Sequence, residues 1–467
     1  MGLAVLLLAL TFRPVVEGDG VGYYAYLHAV FVSHSLELTN EYAAAIASHT
    51  PLYPDLVTTR TSTGHLADFF PVGPAILSAP AFLIALALQS SGEPQYGSPF
   101  VEAFTLASLL YGLIALAIGY RLARSVVVDS RAALIGVVGA TLATPMVYYL
   151  LTDPSYSHTF SVFCVSAFLY AWWKGPPQAW RGWFGLGLLG GLMALTRFQD
   201  GLLVAIVLID ARRLRWPALA LLPGVLIAFS PQLAFDQVQY GAWLPQRPPG
   251  QPLDLLHGNY LDVLFASNRG LVVWTPAVLV AAAGYFFVQD RRLKLACIFA
   301  FVLEIVIEGA VGDLGGSAFG ARRLLDLLPF AVVGLAATAA RMGPRLGWAV
   351  VGVLCAWNVV LLANFEYVMS VDPHRGYLAL LMGQVTALPD IPRLFGKGAV
   401  VRDLLLWGPA HTRFDPIGGI TLLVLEAASV AVGLAAATRR QSTLDRAQPE
   451  REAGHRAHPV IESGQDR

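Results

Sequence analysis

Apolar residues fill long stretches of this chain, without the strict alternation of a half-buried strand or the narrow stripe of a surface helix. Crossing a hydrocarbon core of about 30 Å as helix takes roughly 17 to 25 apolar residues. Runs of that kind recur from end to end, punctuated by short clusters of Lys and Arg. The pattern predicts helices over 101–120, 132–151, 157–173, 183–195, 201–210, 216–235, 271–288, 295–310, 324–340, 346–365 and 417–438. With an amino-terminal helix these make about twelve spans, an all-α polytopic bundle.

Keeping basic clusters cytoplasmic fixes the threading. It places Arg121, Arg124 and Arg131; Lys174 and Arg181; Arg212, Arg213 and Arg215; Arg291, Arg292 and Lys294; and Arg341 and Arg345 inside, together with both termini. The first apolar run, 2–12, is too short to cross, which predicts a frayed helix or a truncated start. It has neither a basic leader nor a small-residue cleavage site before Glu17, so a cleaved signal peptide is disfavoured. Counting 70–88 as a span would invert every later loop, because 89–100 carries no base. That segment, led by Phe70-Pro71 and Gly73-Pro74, is expected to lie in or dip into the outer interface.

The runs 183–195 and 201–210 are short and flank Thr196-Arg197-Phe198-Gln199-Asp200. Broken helices at membrane depth line cavities. The Gly187 and Gly191 spacing points to close helix packing. Three long outer segments, 13–100, 236–270 and 366–416, are expected to roof a site. The membrane domain is expected to cover 1–438, with 13–100 as a first outer loop holding interfacial helices and 439–467 as a disordered cytoplasmic tail.

Composition agrees: 56% of residues are apolar, 13% are charged and mean hydropathy is +0.60, which excludes a single soluble domain. Zero formal net charge supplies no overall field to recruit nucleic acid. Cys164, Cys297 and Cys355 sit in apolar runs and read as small core hydrophobes. No Walker loop, GxGxxG, HExxH or paired CxxC occurs, so nucleotide-driven pumping has no visible engine.

Chemistry concentrates at the outer ends of the runs. In Glu17-Gly18-Asp19-Gly20-Val21-Gly22-Tyr23-Tyr24, Asp19 is either a carboxylate base, with Tyr23 and Tyr24 lining the substrate, or a helix cap beneath an interfacial aromatic belt. Asp153, in Thr152-Asp153-Pro154, is either a cap or a second carboxylate that orients an acceptor or holds a divalent cation. His158 lines the substrate or is a satisfied core residue. Arginines on the outer side violate the charge rule and suit a departing phosphate: Arg322 and Arg323 after a glycine-rich stretch, Arg197 in the broken-helix turn with Asp200 as partner, and more weakly Arg60 and Arg269. Snorkelling, or pairing with Asp313 or Asp326, is the structural alternative for Arg322 and Arg323. Glu304 and Glu308 lie one turn apart on an apolar helix and must face a cavity or a partner.

The Asp-Gly-x-Gly-Tyr-Tyr motif at 19–24, the Phe-Pro-x-Gly-Pro segment at 70–74, Asp153-Pro154 and the Phe-Gly-x-Arg-Arg motif at 319–323 together resemble the GT-C membrane glycosyltransferases. Within them the chain is similar to bacterial relatives of the dolichyl-phosphate-mannose protein mannosyltransferases and to the aminoarabinose transferases of lipid A, over roughly residues 2–365. The resemblance implies a multi-helix fold, a polyprenyl-phosphate sugar donor, an active site on the outer face of the inner membrane, Asp19 as base and Asp153 as a site-shaping acid. It also marks departures. Asp19 is followed by Gly20 rather than a second acid, and Phe70 stands where several members carry a donor-holding Lys, which shifts the phosphate onto Arg322, Arg323, Arg197 or Arg60. Competing readings are a transporter or lipid flippase, for which no internal repeat is visible, and a polysaccharide polymerase or ligase acting on lipid diphosphate.

Overall fold

A computed structural model describes residues 11–88, 95–97, 99–246, 253–311, 318–369 and 376–394. The chain divides into two compact units. One is Arg13–Leu394; of the other, Met1–Phe12 with Phe395–Arg467, only Thr11 and Phe12 are described. The expected helix at 417–438 and the tail at 439–467 lie outside the described residues. Among the described residues the regular structure is helical, and an antiparallel bridge between Arg60 and Leu66 is the one extended pairing.

Among the described residues four helices are long and apolar enough to cross a membrane: Phe100–Val126, Trp216–Tyr240, Arg322–Met342 and Pro344–Tyr367. Several expected spans are subdivided, and local chemistry explains where. The 132–151 run becomes Ser130–Leu142 and Met146–Leu151, broken at Pro145, whose ring cannot continue the ladder. The 271–288 run is broken in the same way at Pro276, giving Leu271–Trp274 and Ala277–Tyr285. Ser130–Leu142 starts where the Asp129 carboxylate caps the Arg131 amide at 2.8 Å. Pro231 sits inside Leu221–Tyr240 and leaves the Ile227 carbonyl without its ladder donor; the Ser230 hydroxyl donates to it at 2.9 Å. The short run after Arg197 is a 3-10 helix, Phe198–Arg213.

Helix packing uses the expected small residues. A Cβ on Gly187 would sit 2.1 Å from the Leu221 carbonyl, and one on Gly224 would sit 2.3 Å from the Phe184 carbonyl, so Trp180–Thr196 and Leu221–Tyr240 interlock backbone to backbone.

Five elements run between two ends of the bundle. At one end Arg292 donates to Asp210 at 2.8 Å, reaches the carbonyls of Trp172 and Trp173, and lies over the Trp172 ring. Arg341 lies over Phe287. From there Arg291–Val311 runs toward Glu308 and Trp180–Thr196 runs to Arg197, while Phe100–Val126, His158–Trp173 and Arg322–Met342 begin at the opposite end. The turns expected to be cytoplasmic therefore cluster together, and Arg197 and Arg322 fall at the other end.

That other end is walled by 13–72. Gly73–Leu88 is 16 residues long, about 24 Å, short of the roughly 30 Å hydrocarbon core. The stretch before it is fastened to Leu221–Tyr240 by several bonds. Tyr240 donates to the Asp68 carbonyl at 2.6 Å, Gln232 accepts from the Val72 amide at 2.9 Å, and Gln239 donates to the Leu66 carbonyl. Tyr42 donates to the Asp68 carboxyl at 2.7 Å and Tyr26 to the Phe70 carbonyl at 2.7 Å. Burial pushes the Asp68 carboxyl up to about 7.

Candidate active site

Asp19 is the first residue of the helix Asp19–His28, and the cap position belongs to Gly18. The capping reading of Asp19 therefore fails; its carboxylate is aimed elsewhere. Gly18 has φ +57°, a left-handed conformation that side chains other than glycine resist. Its amide donates to the Pro51 carbonyl at 2.9 Å. A Cβ on Gly20 would sit 2.1 Å from Ser155 Oγ, so the glycine lets this helix close onto the 152–157 turn.

Across that contact Arg322 Nη1 donates to Asp19 Oδ2 at 2.8 Å, with both side chains almost wholly buried. The Arg322 guanidinium also lies 4.9 Å from the Tyr156 ring centre. Asp19 Oδ1 is buried and makes no hydrogen bond. The expected structural pairing of Arg322 with Asp326 is thus replaced by a pairing with Asp19, 303 residues away. Asp313 lies outside the described residues.

Asp153 stands beside them in the turn before His158–Trp173, whose cap position is Ser157, so it too is not a helix cap. Ser155 donates to Asp153 Oδ1 at 2.9 Å. Burial pushes the Asp153 carboxyl well above the usual carboxylate range, with Glu17 the next contributor and Asp19 also adding. The two acids are consequently unlike: one faces a guanidinium and the other is held toward its neutral form. Tyr23 joins the site through a 3.0 Å bond to Ser157 and an edge contact with Phe70.

Arg197 is buried and its Nη1 bonds His158 Nδ1 at 2.8 Å and the Arg322 carbonyl at 3.5 Å. Because Arg only donates, Nδ1 accepts and the proton resides on His158 Nε2. Asp200, Asp326 and Glu304 lie within electrostatic reach of Arg197, but the expected Arg197–Asp200 pairing does not form: the Asp200 carboxyl accepts from the Ser161 hydroxyl instead. Arg323 pairs with Glu308 at 3.6 Å, and Gln199 joins Glu304 to the Arg323 carbonyl. Glu304 and Glu308 thus face partners inside the bundle. Arg269, Arg322, Arg323 and Glu308 line one small cavity.

Two expected residues lie apart. Tyr24 is buried among Phe82, Tyr96 and Phe104 and donates to the Gln95 carbonyl at 2.6 Å, which makes it an anchor of the wall built by 13–72. Arg60 is exposed and bonds the Gly64 carbonyl of its own turn at 2.8 Å; no described contact joins it to Asp19 or Arg322. Sequence reasoning missed Tyr53 and Tyr156. Tyr53 lies beside the Asp19–Arg322 pair and stacks on Phe70, with ring centres 6.4 Å apart. Among the described residues no cluster of three or more His, Cys, Asp or Glu side chains is arranged to hold a metal ion. An apolar cavity of about 320 Å³ opens two turns along the Asp19–His28 helix, lined by Tyr26, Phe31, Val72, Ile76, Pro231 and Phe235 among others.

Residues 97–235 match the model of the dolichyl-phosphate-mannose-protein mannosyltransferase family. That segment contains Asp153, His158 and Arg197 but neither Asp19 nor Arg322. Two solved structures of ArnT from Cupriavidus metallidurans are similar to the chain at 16% identity. The apo form has a TM-score of 0.45 and covers 85% of this chain and 75% of its own; the form bound to undecaprenyl phosphate has a TM-score of 0.46 and covers 86% and 75%. No curated protein matches the chain.

Proposed function

We propose that this chain, which carries a segment matching the protein mannosyltransferase family model, transfers a sugar from a polyprenyl-phosphate donor to an acceptor hydroxyl. The observation that carries the reading is the convergence of Asp19, Asp153 and Arg322 at one end of the bundle, from segments far apart in sequence. Glycosyl transfer needs a base for the acceptor proton and a cation for the leaving phosphate. Asp19 takes the hydroxyl proton, the acceptor oxygen bonds the anomeric carbon from the face opposite the phosphate, and the anomeric carbon–oxygen bond breaks with its electron pair going to the polyprenyl phosphate. The stereochemistry inverts. Arg322, with Arg323 beside it in the same cavity, meets the charge of the departing lipid phosphate. Asp153, held toward its neutral form, donates a hydrogen bond that orients the acceptor.

The apolar cavity beside Tyr26 and Phe235 suits part of an isoprenoid tail. The positive-inside rule places the Arg292 end in the cytoplasm and the Asp19 end outside, so the donor is met in the outer leaflet of the inner membrane. Expected partners are the lipid-linked donor and the surrounding lipids.

Asp19→Asn should lower transfer from a polyprenyl-phosphate sugar by about 10²- to 10⁴-fold, the usual worth of a positioned base. Initial rates in reconstituted membranes measure it. Undiminished transfer by a folded, inserted Asp19→Asn protein would remove Asp19 as base and favour a ligase acting on lipid diphosphate through the arginines alone.

A further inference from the structure

Resting on the glycosyl-transfer reading, we infer that Arg322 changes partner during the reaction. Before the donor binds it closes Asp19; it then passes to the donor's phosphate, so that donor binding unmasks the base and must precede the acceptor.

In the described state neither oxygen of Asp19 is open to an incoming hydroxyl. Oδ2 is committed to Arg322 Nη1, and Oδ1 is buried without a hydrogen bond. Oδ2 cannot take the acceptor proton until the carboxylate and the guanidinium separate. Separation with nothing in exchange leaves two buried, unpaired charges, which is strongly unfavourable. A neutral hydroxyl offers the guanidinium no replacement. A phosphate does, because it accepts two parallel N–H bonds from the same fork.

The surroundings give Arg322 somewhere to go. Arg322 already borders a small cavity that Arg269, Arg323 and Glu308 also line. Its backbone is tied through the Arg322 carbonyl to Arg197, and the Tyr156 ring lies beneath the guanidinium. The side chain can therefore shift across a fixed aromatic face while the helix end stays in place. Order follows from charge: the anion exchanges partners with Asp19, and only then does the neutral acceptor reach a bare carboxylate.

The test is a binding cycle with undecaprenyl phosphate as probe and the full chain in nanodiscs. If Asp19 competes with the phosphate for Arg322, Asp19→Asn should bind the probe about tenfold or more tightly than the unaltered protein. Arg322→Gln should bind it more weakly, and adding Asp19→Asn in that background should give no gain. Equal or weaker binding by Asp19→Asn, unchanged binding by Arg322→Gln, or a gain that survives in the Arg322→Gln background each overturns the exchange. Should Asp19→Asn prove unstable alone, the readout is thermal unfolding with and without the probe. The probe should then raise the midpoint more than it does for the unaltered protein; a rise no larger, or failure to recover folded protein with the probe present, overturns the exchange as well. These results are separate from transfer activity. A variant that binds as expected yet still transfers sugar sinks the catalytic reading instead.

Discussion

Gly20 shows how a single missing side chain sets the chemistry. The space a Cβ would take belongs to Ser155 Oγ and Cβ, 2.1 and 2.4 Å from where it would stand. Gly20→Ala should cost about 1 to 3 kcal/mol through overpacking and displace Asp19 from Arg322. It should lower the unfolding midpoint and the turnover number together, and Ser155→Gly should restore most of both; no restoration would mean that the clash is not the cause. At this scale the sequence was half legible. Arg322 stood out because it breaks the charge rule, and Asp19 because it follows an apolar run between glycines. Their pairing did not, since no local spacing reports a contact across 303 residues. Tyr53 and Tyr156 were invisible for the same reason, and Arg60 looked eligible only because its exposed turn, closed on Gly64, cannot be read from charge alone.

Among the elements, the stretch between Arg60 and Gly73 carries a buried acid that makes its attachment pH-dependent. Asp68 titrates near an ordinary carboxylate value in the unfolded chain and at about 7 in the folded one, where burial favours the protonated form. Between about pH 4 and 7 the unfolded state therefore binds fewer protons, and stability falls as pH rises, by up to a few kcal/mol in total. Unfolding midpoints of the unaltered protein should decline across that window, while Asp68→Asn should flatten the curve. A decline of the same size in Asp68→Asn would assign the dependence to other groups. Element positions were largely readable from apolar run length, and Gly187 was rightly taken as a packing residue. The boundaries inside 132–151 and 271–288 were not, although Pro145 and Pro276 mark them; in a uniformly apolar run a proline is compatible with either a kink or a stop, and tertiary packing decides.

For the molecule as a whole, the arrangement of two ends is the testable property. Single cysteines at 49 and 55, on exposed positions of the site end, should react with a membrane-impermeant maleimide added to whole cells. Cysteines at 124 and 213, exposed at the basic end, should react only after permeabilisation. The reverse pattern would place the proposed reaction in the cytoplasm. Cys164 and Cys297 are buried and should stay silent in either case. The charge rule predicts this polarity from the sequence, whereas the convergence of helix ends that builds the site is a property of packing alone.

The fastening of 66–72 carries a further consequence for molecular traffic. Swinging that segment outward breaks the bonds from Tyr26, Tyr42, Gln232, Gln239 and Tyr240 together. At about 1 kcal/mol apiece, such a departure would occur spontaneously in roughly one molecule in several thousand at any instant. So rarely lifted a lid makes a poor doorway, and a lipid-linked donor of the kind proposed above would have to come and go sideways, from the lipid, without passing over the top.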